Sequence, residues 1–93
     1  MEQMENQKKE QLRNIVRMYE SEITTLISQK YSVDTKDLVV LINDESGIYL
    51  SKEEKDTLCT LVLNNENGYM YLVSAKYNEE ENTLSDFRSD VIA

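Results

Sequence analysis

Histidine, proline and tryptophan are absent from this 93-residue chain, which has one cysteine and two glycines. Without histidine the chain lacks the commonest general base and the commonest metal ligand, so His-containing triads and zinc hydrolases are excluded. With only Gly47 and Gly68, a glycine-rich phosphate-binding loop is excluded as well. The single Cys59 rules out an intrachain disulfide and a cysteine-based zinc site, and we expect it to be a small buried apolar residue.

Long hydrophobic runs are also missing. No apolar stretch approaches the roughly 18 residues that a bilayer span needs. The N-terminus carries Glu2, Glu5, Lys8 and Lys9 with no apolar block behind them, unlike a signal peptide. A chain of this length holds one hydrophobic core, so residues 1–93 are expected to form a single domain. We expect this domain to be cytoplasmic, with no membrane partner.

Negative charge is concentrated in the C-terminal two thirds of the chain. Residues 1–33 carry five acidic and five basic side chains, whereas residues 34–93 carry 13 acidic and five basic ones, so the net charge of −8 belongs to the second part. Such a field repels nucleic acid and membrane phosphates and attracts basic partners. The alternative is that the acidity only keeps a small protein soluble.

The N-terminal segment has the apolar spacing of one long helix over residues 5–30. Apolar residues recur every three or four positions from Leu12 to Ile27 and form one stripe. Residues 1–8 lack apolar partners and are expected to fray. Lys9, Arg13 and Arg17 recur every four residues beside the stripe, as a solvated face or as a contact strip for an acidic surface.

The next segment predicts two short strands. Leu38–Ile42 is a run of five apolar residues, which suits a strand covered on both faces, although a short helix capped by Asp34 is an alternative. The loop Asn43–Gly47 fits a hairpin turn that returns through Ile48–Leu50, with Gly47 available for a positive φ.

A hairpin over Thr57–Tyr77 is the longest strand-like block. Two apolar runs flank the turn Asn64–Gly68. Its rival is a helix over residues 52–63, because Ser51 and Glu54 match a capping box. Residues 83–92 suit an edge strand protected by its charges, or a helix.

These patterns predict an α+β fold, with a long N-terminal helix packed on an antiparallel meander of four to five strands over residues 38–92. The element order resembles cystatin-like layouts, without a motif of that family. Tyr69, Tyr71 and Tyr77 share one face of the second hairpin strand. That face is expected either to recognise a protein partner or to pack on the helix. Met70 and Leu72 lie on the other face.

Carboxylates are the remaining candidates for chemistry. Glu79, Glu80 and Glu81 are consecutive, but consecutive side chains in a turn diverge, which suits solvation better than Mg²⁺ or Ca²⁺ binding. Asp44 followed by residues 53–55, Glu-Glu-Lys, resembles the Asp…Glu-x-Lys arrangement of metal-dependent nucleases. An acidic chain without a basic strip makes a poor nuclease. We therefore expect no catalytic residues, metal or cofactor.

The function that composition favours is a non-catalytic acidic binding protein. In size and charge the chain resembles small phage-type inhibitors, including anti-CRISPR proteins and other DNA mimics. That resemblance implies an inhibitor that occupies the basic, nucleic-acid-binding surface of a partner protein and does not bind nucleic acid directly. The expected contacts are Asp44, Glu45, Glu66, Tyr69, Tyr71, Tyr77, Glu79, Glu80 and Glu81. A structural or chaperone-like homodimer is the alternative.

Overall fold

Two helices lie on one face of an antiparallel sheet, which confirms the α+β class. The computed structural model describes residues 2–93, and for residues 2–6 it describes the backbone only. The elements are α1 (Glu2–Met18), α2 (Glu20–Tyr31), a 3₁₀ turn (Thr35–Asp37), β1 (Leu38–Val40), β2 (Ile48–Leu50), β3 (Thr57–Asn64), β4 (Met70–Asn78) and β5 (Thr83–Val91). Asp34 caps the 3₁₀ turn by accepting a hydrogen bond from the Lys36 amide at 3.0 Å. Fraying of residues 1–8 stays a prediction, and Met1 lies outside the described residues.

The single N-terminal helix that we predicted is in fact two helices that meet at Tyr19. This residue has φ −105° and ψ 8°, and its amide donates to the carbonyl of Val16, three residues back, at 3.1 Å. Its ring packs against Phe87 with the centroids 5.9 Å apart. The break lets α1 lie beside Ile48–Leu50 and α2 beside Leu38–Val40.

The predicted hairpin between β1 and β2 is wrong, because both strands pair with β3. Val40 lies opposite Val62, and Ile48 lies opposite Thr60. Residues 41–47 leave the edge of the sheet between these two pairs, and we call them the excursion. Leu61 accepts a hydrogen bond from the Leu41 amide and donates one to the Gly47 carbonyl, each at 2.9 Å. β1 and β2 therefore occupy the same position in the sheet, beside β3, and the excursion separates them.

Gly47 ends the excursion where its backbone lies close to Leu41. We predicted a positive φ for Gly47, and this prediction is wrong. A Cβ at this position would lie far inside van der Waals contact with the Leu41 carbonyl oxygen and 2.9 Å from the Leu41 Cβ. The absence of a side chain at residue 47 is what lets β1 and β2 share one position beside β3.

The β3–β4 hairpin and the β5 strand are confirmed. Leu58 pairs with Ala75 and Leu63 with Met70 along the hairpin. The Ser51 hydroxyl does accept hydrogen bonds from the Glu53 and Glu54 amides, at 3.2 and 3.0 Å, as a capping box would. The segment that Ser51 caps is only a turn. The residues after it favour strand conformation, and they are stabilised more by pairing with β2 and β4 than by continuing a helix.

Sheet register decides which face the helices cover. Cross-strand partners share a face, and the pairs Val62–Tyr71, Thr60–Val73 and Leu58–Ala75 are buried beneath the helices. The opposite side, which we call the open face, carries the pairs Leu63–Met70, Leu61–Leu72 and Cys59–Ser74.

Our prediction that Leu38–Ile42 is covered on both faces is wrong. Val39 pairs with Leu63 on the open face and is 41% exposed, whereas Val40 is buried. Both helices pack on the other side of the sheet from Val39. The residues of β1 are therefore buried and exposed in alternation.

Lys9 joins α1 to the excursion, so this member of the basic row Lys9, Arg13 and Arg17 contacts its own chain. Its Nζ donates to the carbonyl of Glu45 at 2.7 Å and to that of Ile48 at 3.0 Å. Arg17 likewise reaches Asn43 at 3.4 Å. Lys9 and Arg17 therefore hold the loop that interrupts the edge strand, whereas Arg13 pairs with Glu10 of its own helix at 3.4 Å.

Lys9→Met is expected to lower the free energy of unfolding by about 1–2 kcal/mol, because two carbonyls lose a charged donor while the aliphatic stem is kept. Urea denaturation measures the change. Lys36→Met is the matched control, since this exposed lysine pairs with Asp34 across 3.9 Å and with no other side chain that the structure describes. We expect it to cost less than about 0.5 kcal/mol. Equal effects of the two substitutions would contradict the role given to Lys9.

Candidate protein-binding surface

Two of the acidic connections lie at the same end of the sheet. β3 begins where β4 ends, since Thr57 pairs with Lys76 and the Tyr77 amide donates to the Asp56 carbonyl at 2.7 Å. The connection over residues 51–56 is therefore beside the turn over residues 79–82. This juxtaposition follows directly from antiparallel pairing.

The other predicted acidic residues lie elsewhere. Asp44 and Glu45 are in the excursion beside α1, along the edge of the sheet. Glu66 is in the β3–β4 turn, at the opposite end. The three acidic loops thus do not form one cluster.

A surface depression marks the end where residues 51–56 and 79–82 meet, and we call it the acidic depression. Its lining consists of Asp56, Lys76, Tyr77, Asn78, Glu79, Glu80, Glu81, Thr83 and Ser85. Four carboxylates against one lysine give this lining a net charge of −3. All four acidic residues are exposed, so their charges face solvent.

Hydrogen bonds fix the turn that carries three of these carboxylates. Asn78 accepts from the Glu81 amide at 3.1 Å, and its side-chain amide donates to the Glu81 carboxylate at 3.0 Å. Asn82 and Asp56 have φ values of 56° and 55°, a left-handed conformation that Asn and Asp tolerate better than most residues. The local sequence thus holds the acidic residues on short, bonded connections.

Ion pairing leaves part of the depression unneutralised. Glu79 pairs with Lys8 of α1 at 2.7 Å. Among the residues whose side chains the structure describes, Asp56, Glu80 and Glu81 make no ion pair. Three carboxylates therefore remain available to a cation from outside the domain.

The predicted tyrosine face lies mainly in the core. Tyr71 is 1% exposed, and its ring lies 4.8 Å from that of Tyr31 between centroids. Tyr77 is 6% exposed, and Lys8 lies over its ring, with Nζ 5.6 Å from the centroid. Of the three predicted tyrosines only Tyr69, at 52% exposed, reaches solvent. The alternative of packing on the helices is the one observed for Tyr71 and Tyr77.

Sequence reasoning missed Asp56 and Lys8 as members of this surface. The hairpin prediction contained the signal for Asp56, because a strand that begins at residue 57 places the preceding residue beside the end of β4. Lys8 gave no such signal, since its position depends on how α1 crosses the sheet.

A second feature lies on the open face, where residues 51–54 fold over one end of it. Arg88 of β5 donates to the Glu54 carboxylate at 2.7 Å, and this contact raises the pKa of Arg88. Cys59 is buried at this end. Burial raises the pKa of its cross-strand partner Tyr49, and the Cys59 thiol adds to the shift.

Chemical groups for metal binding are not assembled in the residues that the structure describes: no three His, Cys, Asp or Glu side chains are placed to hold an ion. Asp44 lies in the excursion, apart from Glu53 and Glu54 in the following connection. No helix within residues 2–93 is both long enough and apolar enough to cross a bilayer.

Comparisons with protein-family models, with curated proteins and with solved structures find no match to this chain. The fold and the surface define an α+β domain with an acidic depression at one end of its sheet and an apolar face left open by its helices.

Proposed function

We propose that this protein is a non-catalytic acidic binding protein that occupies a basic surface of a partner protein through the acidic depression. The observation that carries the proposal is the grouping of Asp56, Glu79, Glu80 and Glu81 around one concave surface. Three of these four carboxylates are unpaired within the described side chains. A lysine or arginine of a partner would complete the missing ion pairs.

The partner that suits this surface presents clustered basic side chains, as nucleic-acid-binding proteins do. An acidic domain that covers such a cluster competes with phosphates for the same side chains. The proposed role is therefore that of a cytoplasmic inhibitor of a nucleic-acid-binding partner, similar in principle to DNA mimics. Tyr69 and Glu66 lie at the other end of the sheet and are secondary contacts in this proposal.

Decalysine is a defined probe for the depression, and its affinity is measured by calorimetric titration. We expect the affinity to fall at least about tenfold between about 50 mM and about 500 mM salt, because solvent-exposed charge pairs are screened. Affinity independent of salt would overturn the proposal.

Two triple variants with equal charge changes locate the contact. The depression variant combines Asp56→Asn, Glu80→Gln and Glu81→Gln. The dispersed variant combines Asp44→Asn, Glu45→Gln and Glu66→Gln.

At low salt we expect the depression variant to bind decalysine about tenfold more weakly than the unchanged protein, and the dispersed variant to lose less than about threefold. Equal losses would show that only net charge matters, which would contradict the depression as the site. Thermal unfolding of both variants checks that the fold is kept.

A further inference from the structure

The domain places one of its own ammonium groups at the acidic depression. The Nζ of Lys8 lies 2.7 Å from a carboxylate oxygen of Glu79 and 5.6 Å from the centroid of the Tyr77 ring. Glu79 and Tyr77 both line the depression, whereas Lys8 belongs to α1. A carboxylate beside an aromatic ring favours an ammonium group. The contact therefore shows, within the chain itself, the kind of cation that this surface takes.

The backbone around Lys8 is held in place by the next residue. Lys9 donates to the carbonyls of Glu45 and Ile48, at 2.7 and 3.0 Å, and so ties α1 to the edge of the sheet. Lys8 is thereby kept within reach of Glu79. A cation tethered in this way competes with cations in solution at a high effective concentration.

The contact between Lys8 and Glu79 is also open to exchange. Their side chains are 34% and 62% exposed, so a cation from outside the domain can reach the carboxylate. Exposed ion pairs and exposed cation–π contacts each stabilise a structure only weakly. A basic side chain of a partner can thus take the place of Lys8 without disturbing the core.

We propose that Lys8 is an intramolecular competitor for the acidic depression, which masks Glu79 until a basic side chain of a partner displaces it. The inference rests on the proposed function, because it concerns regulation of the same surface. Asp56, Glu80 and Glu81 can accept a cation while Lys8 stays in place. Only a partner with clustered basic side chains gains the fourth carboxylate, so Lys8 favours such partners over single cations.

Lys8→Met tests the competition, since it removes the ammonium and keeps the aliphatic stem. By calorimetric titration at low salt, we expect this variant to bind decalysine about five- to tenfold more tightly than the unchanged protein. An ion pair and a cation–π contact together hold Lys8 on Glu79 in most molecules, and this occupancy lowers the apparent affinity for another cation.

Lys76→Met is the control matched in charge. Lys76 is exposed and lines the depression, but it makes no ion pair with the side chains that the structure describes. We expect its removal to tighten decalysine binding only about twofold, through the change in local charge. Equal gains for Lys8→Met and Lys76→Met would overturn the competition, because net charge alone would then explain both.

A double-mutant cycle with Glu79→Gln identifies the masked carboxylate. We expect Glu79→Gln to weaken decalysine binding less than about twofold in the unchanged protein, where Lys8 already occupies Glu79. In the Lys8→Met background we expect a loss of about fivefold. The same loss in both backgrounds would overturn the masking of Glu79 by Lys8.

Failure of this inference is distinguishable from failure of the proposed function. If the unchanged protein binds decalysine through the depression but the cycle is additive, only the role of Lys8 is wrong. If neither the unchanged protein nor Lys8→Met binds decalysine, both proposals are overturned. Far-ultraviolet circular dichroism of each variant verifies that the fold is kept.

Discussion

Tyr71→Ala is expected to lower the free energy of unfolding by about 3–5 kcal/mol, among the largest effects of any single substitution in this chain. Tyr71 is 1% exposed and lies at the centre of the sheet, opposite Val62. Its ring stacks obliquely on Tyr31 of α2, with centroids 4.8 Å apart. The substitution removes a large buried side chain, leaves a cavity between helix and sheet, and ends an aromatic contact.

Tyr69→Ala is the control for this prediction. Tyr69 is two residues away and 52% exposed, so we expect a cost below about 1 kcal/mol. Urea denaturation of both variants gives the comparison. If both cost the same, Tyr71 would not be the core residue that the register makes it, and the exposed tyrosine face predicted from sequence would regain support.

Gly47→Ala is expected to cost about 3 kcal/mol, although it adds a single methyl group. The added carbon would collide with the Leu41 carbonyl oxygen. Neither partner can move freely, because Leu41 and Gly47 are both hydrogen-bonded to Leu61 at 2.9 Å. We expect the excursion to detach from β3 and the midpoint of denaturation to fall.

Gly68→Ala separates this steric effect from backbone strain. Gly68 has φ +76° and nothing within 4 Å of a Cβ position. We expect Gly68→Ala to lower the free energy of unfolding by about 1–2 kcal/mol, because alanine there must adopt the left-handed conformation. A larger loss for Gly68→Ala than for Gly47→Ala would contradict the close approach as the reason for glycine at residue 47.

The middle and end of the fold were predictable from local pattern. Residues 57–64 and 70–78 are rich in apolar and β-branched side chains around a five-residue turn, and this signal outweighed the capping box at Ser51. The same pattern had two apolar faces. Only the side on which the helices pack decides that Tyr71 is fully buried and that Leu72 is partly buried. Local pattern cannot carry this information, because it depends on which side the helices pack.

Two of the errors in the fold have a common cause. Tyr19 breaks the N-terminal helix without a glycine or proline, and the excursion interrupts an edge strand where a hairpin turn would also fit. In each case tertiary contacts override a valid local pattern: Tyr19 packs on Phe87, and Leu61 bonds to both ends of the excursion. Such contacts join residues distant in sequence, so periodicity does not report them.

The candidate site was predictable in part. The run Glu79–Glu81 was identified by charge alone, and the hairpin places Asp56 beside it. Asp44, Glu45 and Glu66 were equally good candidates by composition, and only strand order separates them from the depression. Charge in the sequence indicates which residues are candidates, while topology decides which acidic residues share one surface.

Chemical-shift mapping by ¹H–¹⁵N correlation spectroscopy tests the acidic depression most directly. With decalysine added to the full chain at low salt, we predict that the largest amide shifts occur in residues 53–56 and 76–83, where the carboxylates converge. Residues 43–46 and 65–67 should shift much less. Shifts spread equally over all the acidic loops, or largest in the excursion, would contradict the depression as the binding surface.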